Sequence, residues 1–146
     1  MPAALTRDVR RHLGTRRTLH PSQFKVNDAW IAFRLNDAPI QTAHDGAFNC
    51  LALMDAASCY ILCSDLVPIQ SLGLSHEDAR RLLQQGRSHE QRMPKTLYVS
   101  TKHGSEELCL EAAQENIEVV MVPERDLLVF IGEARETFRE RFGKSQ

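Results

Sequence analysis

Apolar residues first cluster at strand-like spacing at Trp30-Ile31-Ala32-Phe33-Arg34-Leu35. Asn36-Asp37-Ala38-Pro39 then supplies a turn, and Ile40 to Thr42 predicts a short returning strand. His44-Asp45-Gly46 reads as another turn. Cys50-Leu51-Ala52-Leu53-Met54 is an apolar run of strand length, and Tyr60-Ile61-Leu62-Cys63 resumes it after the joint Asp55-Ala56-Ala57-Ser58. Two such runs with a four-residue joint predict a β-hairpin. Both are apolar at most positions, which predicts a sheet covered on both faces.

The second half alternates periods. Ser75 with Asp78 resembles a capping box, Ala79, Leu82 and Leu83 follow at helical spacing, and Gly86 is the expected stop. Residues 86–94 read as a polar connector. Thr96-Leu97-Tyr98-Val99-Ser100 predicts a strand. Ser105 is placed to cap a helix carrying Leu108, Cys109 and Ala112, with Asn116 as its end. Ile117 to Val122 predicts the next strand. Leu127, Ile131, Ala134, Phe138 and Phe142 then fall on one face of a final helix behind Pro123, with a strand over 127–131 as the lesser alternative. The hairpin implies antiparallel pairing, and strands joined through helices imply parallel pairing. The expected fold is therefore α/β, a mixed sheet with helices on its faces.

Ahead of this body, residues 1–28 are read as a basic, partly disordered N-terminal arm, and 29–146 as a single domain. The arm carries Arg7, Arg10, Arg11, Arg16, Arg17 and Lys25 against Asp8 and Asp28, with a short helix expected over 4–13. Arginines of this kind, Arg10, Arg11, Arg16 and Arg17 above all, suit phosphate contact without base readout. A nucleic-acid partner through the arm, or a protein partner, is thus the expectation. Beyond residue 103 acids outnumber bases, which discourages phosphate contact there.

Composition narrows the class without naming a reaction. The chain has 146 residues, 42% hydrophobic and 25% charged, with a formal net charge of −1. That suits one globular domain and not a wholly basic nucleic-acid binder. No apolar run reaches spanning length and no secretory h-region stands at the start, so a cytoplasmic protein without a membrane partner is expected. The four cysteines are then reduced thiols. A zinc site on Cys50, Cys59, Cys63 and His44 fits poorly, because a strand would hold Cys59 and Cys63 roughly 13 Å apart, and packing thiols are the better reading. No nucleophile elbow and no glycine-rich dinucleotide loop occur, and Gly143-Lys144-Ser145 lacks the first glycine of a P-loop.

Several stretches together resemble the integrase or transposase catalytic core of the RNase H-like superfamily over about residues 48–142. Leu53 to Leu62, with Asp55 before Ser58, is similar to the first hairpin of that core. Pro94-Lys95-Thr96-Leu97-Tyr98-Val99 resembles the run into its fourth strand. His103-Gly104-Ser105-Glu106 resembles the Asn-Gly-Ser-Glu that follows, and Ile117 to Pro123 resembles its fifth strand. The resemblance implies three carboxylates holding two divalent metals about 4 Å apart. Asp55 matches the first. Lys102 stands where the second belongs, with His103 beside it, and an ammonium repels a cation. Glu133 and Glu136 lie near the third position on the last helix. The expectation is a non-catalytic binding or regulatory module, with Lys102 and His103 as binding candidates, no metal and no cofactor. The alternative is a metal-dependent nuclease or strand-transfer enzyme, with Asp55, Glu133 and Glu136 catalytic, Asp126 or Glu124 assisting, and Mg or Mn as cofactor. A third reading is a structural or interaction protein on an unrelated mixed α/β fold, with no acidic cluster near Asp55.

Overall fold

The computed structural model describes residues 9–11, 19–69, 74–101 and 106–142. In chain order the strands are β1 (Val9–Arg11), β2 (Ala29–Arg34), β3 (Ile40–Gln41), β4 (Ala47–Asp55), β5 (Ile61–Pro68), β6 (Thr96–Ser100) and β7 (Glu118–Val122). The helices are α1 (His76–Glu90), α2 (Glu106–Gln114) and α3 (Leu128–Phe142), with short 3-10 turns at Pro21–Gln23 and Glu124–Leu127. The strands form one mixed sheet in the order β1-β7-β6-β2-β4-β3, with β5 paired to β4. β2 runs parallel to β6 and antiparallel to β4, β6 and β7 are parallel, and β4 and β5 are the antiparallel hairpin. The mixed α/β architecture read from the sequence is the one observed.

Period-two alternation divides the core. Trp30, Ala32, Leu53, Leu97, Val99 and Val119 face α1 and α2, packing on Leu82, Leu83, Leu108 and Ala112. Ala29, Ile31, Phe33, Ala52, Met54 and Val122 face the other way, onto Leu127, Phe130 and Ile131. Of the expected final-helix face, Ile131, Ala134 and Phe138 pack there, while the Phe142 side chain lies outside the described residues. The segment 127–131 is helical, so the strand alternative falls away.

Two local expectations are corrected. Gly86 does not end α1, which runs on to Glu90 and closes on Gln91 in the left-handed region at φ 72°. A Cβ at Gly86 would lie 2.8 and 2.9 Å from the Trp30 ring, so the glycine permits the helix to approach the sheet. At the other end of the chain, residues 9–11 are not helical. They form a strand parallel to β7, in register from Val9↔Val119 to Arg11↔Met121. Leu19 and Asn27, both within the basic segment, are buried. The Ser75 cap is as expected, its Oγ accepting from the Asp78 amide at 3.0 Å.

Burial sets the thiol chemistry and yields a pH prediction. Desolvation, with the Asp65 carboxylate adding to it, pushes the Cys63 thiol up to about 11 from 9.0. Desolvation and then Glu106 do the same for Cys109, also to about 11. The native state therefore keeps protons that the unfolded chain releases near pH 9. The stability these thiols contribute is complete below that pH and is lost as pH rises through 11. Thermal melts between pH 8 and 11 are expected to show a falling midpoint, with a shallower fall in a Cys63→Ala/Cys109→Ala variant. Equal slopes in the two proteins would contradict this.

Candidate functional site

Asp55 closes β4 and is almost wholly buried, at 1% exposure. Its Oδ1 accepts from the Asn27 amide at 2.6 Å. Its Oδ2 accepts from the Ser58 amide at 2.9 Å and from the Ser58 hydroxyl at 2.7 Å. An aspartate that turns back on its own joint in this way is a hairpin device. It also ties in a second segment through Asn27, which sits at φ 67°. The Asn27 Oδ1 accepts from the Trp30 indole at 2.6 Å, and its Nδ2 donates to the Arg92 carbonyl at 3.3 Å. The carboxylate thus joins the β4–β5 turn to the entry of β2.

Register separates this residue from its expected companions. Asp55 pairs with Trp30, at the start of β2. Ala32 pairs with Val99 on the parallel neighbour β6, so Thr101, just beyond that strand, lies level with Arg34 at the end of β2. From Trp30 to Arg34 is about 13 Å along the strand, and β4 to β6 is two strand spacings, so Asp55 and Thr101 stand roughly 16 Å apart. The segment entering position 102 leaves from the far end of the sheet. Asp55 also ends the chain's second long strand, whereas the resemblance assigned it to the first. The central strand β2 carries no carboxylate. Lys102 and His103 themselves lie outside the described residues, as do Arg16 and Arg17, and of Arg10 and Arg11 only the backbone is described.

On α3, Glu133 and Glu136 are both exposed. Glu133 shares a neighbourhood with Asp55. The Cys59 thiol is pushed up chiefly by burial, with Asp55 and then Glu133 adding to the shift. Asp55 nonetheless has both oxygens engaged. Among the described residues no group of three or more His, Cys, Asp or Glu side chains is arranged to hold a metal ion. The cysteines are free, and Cys63 donates to the Leu82 carbonyl at 3.3 Å. Glu124 is held by Arg135, and Asp126 lies in the 3-10 turn after Pro123.

The far end of the sheet is built around guanidinium groups instead. Open α/β sheets bind ligands at the carboxyl ends of their strands. There Arg135, 9% exposed, donates from Nε to the Arg34 carbonyl at 2.9 Å and through both Nη atoms to Glu124 at 3.1 and 3.3 Å. Arg139 holds the Asp37 carboxylate through Nε at 2.8 Å. Arg34 donates from Nη2 to the Asp37 carbonyl at 3.2 Å. In the sequence Arg34 is one residue of the strand-like run 30–35, and no local motif marks Arg135. Only the place of β2 at the sheet centre reveals them.

No protein-family model matches the chain, and no curated protein is similar to it in sequence. Among solved structures it resembles a chain from a simian T-cell lymphotropic virus intasome, determined by cryo-EM in complex with PP2A regulatory subunit B56 gamma. The TM-score is 0.53 at 14% identity, over 88% of this chain and 44% of that one. The likeness is one of fold alone, and the chain spans less than half the length of that neighbour. Among the described residues no helix is long and apolar enough to cross a membrane.

Proposed function

We propose that this chain is a non-catalytic binding module on an RNase H-like, integrase-related scaffold. One observation carries the reading. The sheet holds Asp55 at one end with its oxygens bonded to Asn27 and Ser58, and arms the opposite end with arginines. A two-metal site needs carboxylates converging on ions about 4 Å apart. Here a separation of roughly 16 Å parts Asp55 from the strand end that should supply the second ligand. Arg135, on the helix expected to give the third acid, reaches the end of β2 with a positive group. Arg135 and Arg139 are there paired with Glu124 and Asp37, so this edge is ordered by ion pairs where the enzyme reading needs ligands for a cation.

Incubation with double-stranded and hairpin DNA in Mg²⁺ or Mn²⁺ tests this. The expected outcome is intact DNA over hours and a melting temperature unmoved by either ion. Metal-dependent cleavage that disappears in Glu133→Gln or Glu136→Gln, exposed substitutions that leave the core untouched, would establish the enzyme reading instead.

A further inference from the structure

The outward strip of α3 is apolar where a solvated helix would be polar. Leu128 and Val129 are 49% and 50% exposed, away from Ile131, Ala134 and Phe138, which pack on the sheet. Gly132 follows one turn on. Its surroundings are open, since a Cβ there would meet nothing within 4 Å. A glycine inside a helix costs stability relative to alanine, and no contact among the described residues explains this one. Gly86, by contrast, is required by the Trp30 ring. Arg125, in the 3-10 turn that leads into the helix, and Glu136 are exposed at the two ends of the strip. Among the described residues neither has an ion-pair partner, whereas Arg135 and Arg139 on the same helix are matched with Glu124 and Asp37.

The spacing of these positions makes the strip complementary to itself. Arg125, Val129, Gly132 and Glu136 follow at steps of four, three and four, the seam spacing of paired helices. A two-fold axis midway between Val129 and Gly132 sets a second copy of the helix antiparallel to the first. Val129 of each copy then lies over Gly132 of the other, where the missing side chain lets the backbones approach. The same axis places Arg125 of each copy opposite Glu136 of the other, giving two ion pairs. Leu128 falls on the same flank in both copies and closes that side. A wholly acidic or wholly basic partner would match only one end of the strip, and a second copy matches both. We propose that this face of α3 is a self-association surface, occupied by α3 of a second copy of the chain in antiparallel pairing. One helix pair gives a small interface, below roughly 1,200 Å², so the dimer forms in a concentration-dependent way.

Sedimentation equilibrium of the full chain over a wide range of concentration tests this, with thermal melts to confirm folding. The apparent mass is expected to rise from one chain to two and no further. Gly132→Leu should remove the dimer by filling the space that Val129 needs. Gly132→Ala should weaken it severalfold while raising the melting temperature of the dilute protein by about 2–4 °C, because alanine suits the helix better. Arg125→Glu and Glu136→Arg should each weaken dimerisation by about tenfold or more, as like charges are brought together. Mixed in equal amounts, these two variants are expected to associate with near wild-type affinity, because each charge then meets its opposite. A chain that stays monomeric at every concentration would overturn the proposal and leave the strip to a different protein. A dimer that survives Gly132→Leu, or charge variants that fail to rescue one another, would overturn it as well.

Discussion

Asp55→Ala is expected to destabilise the protein by about 1–3 kcal/mol, because it strands the buried Asn27 amide and unties the β4–β5 turn. The Asn27 amide loses its acceptor in a buried place, while the Ser58 amide and hydroxyl lose theirs at an exposed turn where water can replace it. Each buried donor left unpaired costs about 1–3 kcal/mol. Asp55→Asn, nearly identical in shape, should cost a substantial part of the same amount, since its amide group must face a donor on at least one side. Chemical denaturation of the two variants checks both values. The pair also separates roles. A metal ligand would lose activity in the asparagine variant with stability intact, whereas a structural tie loses stability first. Retention of wild-type stability by Asp55→Ala would contradict the structural role.

Trp30→Ala should cost about 3–5 kcal/mol, in the range for emptying a large buried aromatic site. Trp30 has no exposed surface and donates its indole N–H to Asn27. The more discriminating measurement is its coupling to Gly86. In the wild type, Gly86→Ala drives a methyl group against a rigid ring at 2.8 Å and is expected to destabilise by about 1–3 kcal/mol. In the Trp30→Ala background the clash is gone, and alanine should recover up to about 1 kcal/mol of helix propensity. A double-mutant cycle should therefore give a coupling of more than about 1 kcal/mol. Additive effects would mean that Gly86 does not act through Trp30.

What could be read along the chain was what neighbours in sequence decide. The hairpin at Asp55 to Ser58, the Ser75 cap and the β6 run each depend on residues within a few positions of one another. Gly86 was misread because a glycine after a helical pattern ordinarily signals a stop, while its actual reason, the Trp30 ring, lies on another element. Residues 9–11 looked helical, and the strand they form is made by β7, more than a hundred positions later. The site was less legible still. The local match around Asp55 is sound as a hairpin signature, but its place in the sheet depends on strand order. That order puts β2 at the centre and Asp55 level with Trp30. Arg34 and Arg135 carry no local motif, and they acquire meaning only where the parallel strands end together.

The proposed non-catalytic module predicts that no pair of metal ions is seated among the described residues of this sheet. Anomalous diffraction from crystals grown or soaked in Mn²⁺ measures that directly. The expected map shows no paired manganese peaks beside Asp55 or at the carboxyl ends of β2 and β6. Two peaks about 4 Å apart at either place, bridged by carboxylates, would contradict the account.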